Sequence, residues 1–407
     1  MHRRGEPRDG RVLWRRALTA VLWVLALGVS GRLVARSYLE ERYLIDFRAL
    51  HDGATRFWDG VSVYQDPYFL LTPSGLLAML PFGLFGMDTA FVLWNTLSIA
   101  AVVAGVACAL RLVGIPLTGP VAAVTTLLLC ASESLTETLR LGNLNNSLLL
   151  ALGAGFLLAE LRGRVVLAGV LLGISLALKP VLVLLLLLPL LRRGWRTLGW
   201  AIAVPVVLNV LGLALVPAPS DFIDVTVPNL LHARESYNHS LWAFGAYLGA
   251  PGWSVLAARV LVLVLAGLAV WRLRLLEDAV LRLTTSYGVL ALATFLASSL
   301  SQAYYSLVLL PVLLTVVRAG SALRSPVAWV AVYGFAIQDS LRIPVPPGWA
   351  THYGVGRFTV GWLLLFAVLV VWALRPATLR PEARGGRASP WRRAGTARPA
   401  EPVSTST

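Results

Sequence analysis

Apolar residues in this chain come in long unbroken runs, not in the alternation of a strand or the three-to-four spacing of a surface helix. The pattern therefore predicts helices surrounded by hydrocarbon. The runs lie at 17–29, 89–110, 116–131, 147–160, 165–191, 199–217, 254–271, 279–300, 303–317, 326–338 and 358–374, and charged or Gly/Pro-containing breaks separate them. Eleven or twelve crossings follow, in an all-α polytopic membrane protein. The first run trails an Arg-rich start as a signal peptide would. Arg32 and Arg36 come after it without a small-residue cleavage site, so it reads as an uncleaved span. No internal repeat is visible.

Arginine placement sets the expected orientation, because short cytoplasmic loops hold the excess of positive charge. Arg-rich turns occur at 162–164, 192–196, 272–282 and 318–324, whereas 218–253, 300–306 and 341–354 carry aromatic, Pro, Asn and Ser residues and are expected outside. The run 165–191 has arginines at both ends. It is long for one span and short for two, and we read it as two short helices meeting at an outer turn, Lys179-Pro180. Parity then puts 34–87 outside as a large first extracytoplasmic loop. Pro73 and Pro81 within its apolar part, 67–86, favour an interfacial or re-entrant piece over a straight span. The rival arrangement makes 67–86 a span and 165–191 one tilted helix. The expected organisation is a basic cytoplasmic N-terminus at 1–16, a transmembrane domain at 17–374 and a disordered cytoplasmic tail at 375–407, rich in Arg, Pro, Ser and Thr.

Composition sharpens this picture. Of 407 residues, 57% are hydrophobic and 14% charged, which excludes a chain of soluble domains. Much of the basic charge behind the net +15 sits at the two ends, facing an anionic leaflet, so nucleic-acid binding is a poor reading of it. Cys108 and Cys130 both lie in apolar runs and support neither a disulfide framework nor a zinc site. No Walker loop, strand-borne GxGxxG, HExxH or Cys/His ligand set occurs, which argues against an ATP-driven pump, a Rossmann-type nucleotide-sugar enzyme and a zinc protease. Any chemistry must draw on a substrate already activated and carried by the membrane.

Four groups of residues could perform it. The first loop contains Asp46, Arg48, His51, Asp52, Asp59 and Asp66; Asp46, between Ile45 and Phe47, is the acid least explained by solvation alone. A carboxylate at a membrane face can take the proton of a hydroxyl nucleophile, as sugar transfer requires. Lys179 is the single lysine among 35 basic residues and sits inside an apolar run. It needs a partner or a function there, and its compact ammonium suits a lipid phosphate, the bland alternative being a side chain that snorkels from a helix end. Asn143, Asn145 and Asn146, in RLGNLNNS, cluster where an apolar helix starts, so they either cap it or bind sugar hydroxyls. Tyr237 and Asn238, with Arg234 and Glu235 beside them, and Gln302, Tyr304 and Tyr305 in SQAYYS bring aromatic and amide groups to the same expected face. There they line a sugar site or form an interfacial belt.

These segments in order, YLIDFRAL, DPYFLLTPSGLLAMLPFG, the NxNNS cluster, LALKP followed by LLLLPLLRRGWR, RESYNHSL and SQAYYS, resemble glycosyltransferase family 87 from about residue 43 to 375. Within that family the local sequence is nearest to its arabinofuranosyl-transferring members. The resemblance implies a GT-C fold and an inverting transfer of arabinofuranose from decaprenyl-phosphate arabinofuranose to an arabinan acceptor, giving an α-1,3 branch. It further implies a site on the outer face of the plasma membrane and no nucleotide. On the matching positions Asp46 becomes the general base, Lys179 the residue near the donor phosphate with Arg48, and Asn143, Asn145, Asn146, Tyr237, Asn238, Gln302, Tyr304 and Tyr305 the substrate-binding set. A second acid is expected beside Asp46, where this chain has Ile45, so neither a metal nor another cofactor is expected. Other readings remain: a mannosyltransferase using polyprenyl-phosphate mannose, a transporter of lipid-linked sugar, and a noncatalytic subunit of an envelope-assembly complex.

Overall fold

Where the apolar runs are interrupted, the chain turns, and these interruptions decide how the helices stack. The computed structural model describes residues 8–39, 44–66, 69–232, 237–338 and 347–375. Arg234 and Glu235, the start of the N-terminus and the tail beyond Arg375 lie outside the described residues. Among the described residues seventeen α-helices follow one another: α1 Arg8–Leu39, α2 Ile45–Trp58, α3 Pro73–Met79, α4 Met87–Val113, α5 Pro120–Cys130, α6 Glu133–Arg140, α7 Leu144–Leu161, α8 Val165–Leu178, α9 Leu187–Leu191, α10 Trp195–Leu215, α11 Val227–Leu231, α12 Leu241–Tyr247, α13 Gly252–Leu273, α14 Ala279–Ala297, α15 Leu310–Leu313, α16 Pro326–Ala336 and α17 Pro347–Leu374. Among the described residues the β-structure is one isolated bridge, Ser132 to Ile337. The protein is an all-α membrane protein.

Among the described residues seven helices are, by length and composition, long and apolar enough to cross a bilayer, against the eleven or twelve expected crossings. The difference has a plain cause. Pro180 divides the run 165–191 into two short pieces, while 116–131, 303–317 and 326–338 are short runs to begin with and have Pro120 and Pro326 at the first turn of α5 and α16. The first helix also runs to Leu39, several residues past the expected loop start at 34.

The segment 165–191 is a hairpin rather than one tilted helix. Gly169 packs on Thr197, and Gly173 on Val204. Positions therefore rise together along α8 and α10, so the two helices are parallel and 180–191 must return between them. Its ends also meet: Arg192 pairs with Glu160 at 3.0 Å, and the Thr197 hydroxyl donates to the Val165 carbonyl at 3.3 Å. Helices α4 and α7 are parallel in the same way, with Ser98 on Ser147 at 2.7 Å and Gly105 on Leu150.

The apolar part of the first loop forms α3 and a following 3-10 turn, Leu80–Leu84, well short of the about 20 residues a span requires. It is folded onto the bundle. Phe47, Leu71, Leu76 and Met79 share a core with Phe91 and Trp94 of α4 and Leu144 of α7. A Cβ on Gly212 of α10 would lie 2.5 Å from the Pro73 carbonyl oxygen, so these two backbones touch only because that side chain is missing.

The hairpin has a direct test. In a background with Cys108 and Cys130 replaced by serine, Arg164→Cys and Arg196→Cys should react with a membrane-impermeant maleimide from the same side of the membrane. Labelling from opposite sides would restore the single tilted helix.

Candidate functional site

The site forms where the starts of α2 and α7 meet the segment after α14. Asp46 is in the first turn of α2, where a negative charge is favoured by the helix dipole. The Phe47 amide donates to the Leu141 carbonyl at 3.3 Å, and the buried Phe47 ring packs against Phe91 and Trp94. These contacts fasten the start of α2 to the turn between α6 and α7. That turn needs Gly142, which has φ 68° and would clash with Phe47 if it carried a Cβ; its carbonyl accepts from the Trp94 indole at 2.6 Å.

Asn143 is the N-cap of α7, its Oδ1 accepting from the Asn146 amide at 3.1 Å. The same side chain has two hydrogens on Nδ2, and both are used: one reaches Asp46 Oδ2 at 2.8 Å, the other the Tyr304 hydroxyl at 3.0 Å. Capping and binding, alternatives in the sequence, are thus combined. The Tyr304 hydroxyl donates to Asp46 Oδ2 at 3.0 Å and also contacts the Gln302 amide oxygen; its single hydrogen serves one of them at a time. Asp46 Oδ2 is therefore held from two sides. Oδ1 has no partner among the described residues.

Lys179 approaches the same aromatic pair from another direction. It ends α8 in an extended conformation, φ −141° and ψ 91°, as the residue before a proline tends to. Its ammonium stands 3.7 Å from the centre of the Tyr305 ring and 5.6 Å from that of Tyr304. No carboxylate pairs with it among the described residues, and Asp46 is the acid whose field reaches it. An acid with a free oxygen and an unpaired ammonium thus flank one pair of tyrosines.

The other expected residues divide. Asn146 is fully buried, and its two amide hydrogens go to Thr138 Oγ1 at 3.0 Å and the Tyr304 carbonyl at 2.5 Å, so it fixes the tyrosine segment from behind. Asn145 is buried one position earlier and makes no hydrogen bond among the described residues. Asn238 joins two loops: its Nδ2 donates to the Ser299 carbonyl at 2.7 Å, and its Oδ1 accepts from the Ser240 and Ser301 amides at 3.0 and 2.9 Å. It thereby steadies the residue just before Gln302. Tyr237 is 87% exposed and apart from the cluster's hydrogen bonds. Arg48 is not brought to Lys179: it lies two residues beyond Asp46, about 200° around the helix, and is exposed with no polar partner among the described residues.

Sequence reasoning missed Trp94, Thr138 and the glycine turn at 142. Only the run of a lone glycine before an Asn-rich helix start signalled the last of these. No group of three His, Cys, Asp or Glu side chains converges among the described residues, so no set of metal ligands is assembled there.

The site lies at one end of the bundle. Asn143 caps the start of α7 and the Glu160–Arg192 pair closes its far end, the helix being 18 residues or about 27 Å long. The Arg318–Asp278 pair, 2.7 Å, joins two further Arg-rich turns.

Comparison with known proteins gives this arrangement a family. The sequence profile of glycosyltransferase family 87 matches residues 69–299. The chain is 35% identical over 374 residues to the alpha-(1->3)-arabinofuranosyltransferase of Mycobacterium tuberculosis, covering 89% of this chain and 86% of that protein. It is 34% identical over 377 residues to the protein of the same name from Mycolicibacterium smegmatis, covering 89% and 87%. With the Corynebacterium glutamicum protein so named it shares 32% over 381 residues, 90% of each chain. An all-helical bundle with a polar cluster at one end, matched in sequence over most of its length, belongs to glycosyltransferase family 87 and is a glycosyltransferase.

Proposed function

We propose that the protein transfers arabinofuranose from decaprenyl-phosphate arabinofuranose to an arabinan hydroxyl, with inversion, at the outer face of the plasma membrane. The names of its relatives support the sugar and the α-1,3 linkage, and weigh against the mannose alternative. The orientation rests on charge: the Arg-rich turns lie at the end of α7 away from Asp46, and such turns face the cytoplasm.

The observation that carries the reading is the state of the Asp46 carboxylate. Asn143 and Tyr304 hold Oδ2, which fixes the plane of the group, while Oδ1 is left to accept a proton. In the reaction Oδ1 takes the proton of an acceptor hydroxyl as that oxygen bonds to the anomeric carbon. The bond from that carbon to the phosphate oxygen breaks, and its electron pair leaves with the lipid phosphate. Lys179 meets the negative charge that develops there. Among the described residues the ammonium has no ion pair to be broken first. Tyr304 and Tyr305, both buried, carry Lys179 over their rings and link it to the Asp46 side of the cluster. Arg48, exposed and turned from the cluster, has no part in this mechanism.

Two substitutions test the assignment, with purified protein, labelled decaprenyl-phosphate arabinofuranose and a synthetic arabinan acceptor. Asp46→Asn should lower kcat by about a hundredfold or more while donor binding and thermal stability persist, because the amide still accepts from Asn143 and Tyr304 but takes up no proton. Full activity would remove Asp46 from the mechanism. Tyr304→Phe takes away one of the two donors to Oδ2 and should reduce kcat by roughly tenfold with little change in donor KM. Product formed by purified protein in one compartment also excludes pure transport.

A further inference from the structure

Proline at 180 ends α8, and the consequence falls on a carbonyl two residues before the lysine. In a continuing helix the Ala177 oxygen would accept the amide of residue 181. The extended backbone at Lys179 breaks that ladder and leaves the oxygen without its helical partner, in apolar surroundings where an unmatched carbonyl is costly. Two hydroxyls from a distant part of the chain fill the gap. Thr72 Oγ1 donates to the Ala177 oxygen at 2.8 Å and Ser74 Oγ at 2.7 Å. Both residues are buried, 8% and 4% exposed, so water does not stand in for them.

The hydroxyls are themselves held. Thr72 caps α3, accepting from the Gly75 amide at 3.2 Å, and its oxygen lies 3.0 Å from that of Ser74. The Ser74 amide donates to Asn209 Oδ1 at 3.3 Å, and the Asn209 amide group in turn donates to the Pro205 carbonyl at 2.8 Å within α10. Proline at 73 stands between the two hydroxyls and packs directly on Gly212. The start of α3 is thus wedged between α10 and the end of α8. Its other residues, Leu76 and Met79, share a core with Phe47, the neighbour of Asp46. One short helix therefore touches both the element that carries the acid and the helix end that carries the ammonium.

We propose that Thr72 and Ser74 are positioning residues for Lys179, setting the separation between the ammonium and the Asp46 carboxylate through their shared grip on the Ala177 carbonyl. This rests on the reading of Lys179 as the group near the donor phosphate. Lysine has a flexible stem, so the place where that stem leaves the backbone decides which phosphate position it reaches with its head on Tyr305. Loss of the grip lets the end of α8 shift and moves the ammonium off the phosphate, while the acceptor side stays as it was.

The test is a thermodynamic cycle on the kinetics of full-length protein in detergent, with labelled decaprenyl-phosphate arabinofuranose as the varied donor. Thr72→Val with Ser74→Ala should lower kcat/KM for the donor by about tenfold and leave the acceptor KM unchanged. In the Lys179→Met background the same pair should change donor kcat/KM by less than about twofold, because residues acting through one group are not additive. Thr72→Ser and Ser74→Thr, which keep the hydroxyls, should restore the donor parameters. Equal losses in both backgrounds would mean the hydroxyls support the fold in general and would overturn the proposal, as would wild-type kinetics in the paired variant. Lys179→Met with unaltered donor kinetics would instead remove the lysine's assignment, and the proposal with it. Ser74→Ala alone retains the Thr72 bond and carries the same cycle should the paired variant not fold.

Discussion

A charge or an unmatched carbonyl within a hydrocarbon layer has to be answered from inside the protein, and the break at Lys179-Pro180 creates one of each. The rest of the site is arranged around that break. The carbonyl of Ala177 is met by two hydroxyls from the first loop. The ammonium is met by an aromatic face rather than by an acid. That choice matters for chemistry. A cation over a ring gains about 0.5–2 kcal/mol and keeps its charge available, whereas a buried ion pair would be hard to open for an incoming phosphate. Tyr305 makes the ammonium tolerable without consuming it.

The carboxylate side follows a complementary logic. Asp46 and Lys179 both meet Tyr304, one at its hydroxyl and the other over its ring, and do not pair among the described residues. An acid that closed on the lysine would lose its free oxygen and block the phosphate. Instead Asn143 and Tyr304 occupy one carboxylate oxygen, and their own positions are fixed by the α7 cap and by Asn146. The polar network is tied to helix starts, where unpaired backbone groups already demand partners. In the proposed mechanism, the geometry of the acid and the burial of its network rest on the same bonds.

Much of this was legible in the chain itself. Long apolar runs gave the helical membrane class, and the rarity of lysine singled out Lys179. The pair of arginine clusters flanking 165–191, with a proline between them, gave the hairpin. Asp46 stood out because apolar neighbours surround it. What could not be read was tertiary. Helical periodicity alone could have warned that Arg48 turns away from Asp46. Asn146 and Asn238 carry the residue types of a sugar site, but Asn146 spends its hydrogens on the Thr138 hydroxyl and the Tyr304 carbonyl, and Asn238 donates to the Ser299 carbonyl, partners that only the fold brings near. Thr72 and Ser74 look like an ordinary helix start, and no local pattern reveals that they reach a carbonyl more than a hundred positions away. Among the described residues fewer helices than apolar runs are long enough to cross a bilayer alone, because run length reports hydrophobicity while helix length depends on where the backbone breaks.

The central claim is that the acid and the ammonium serve one donor molecule. A cryo-EM map of the protein with a nonhydrolysable phosphonate analogue of decaprenyl-phosphate arabinofuranose addresses it directly. The account predicts an anionic oxygen of the head group within about 2.7–3.2 Å of Lys179 Nζ, with the anomeric carbon of the sugar on the side of Asp46 Oδ1. A head group bound to other cations, with Lys179 still resting on Tyr305 and Asp46 facing away from the sugar, would contradict it.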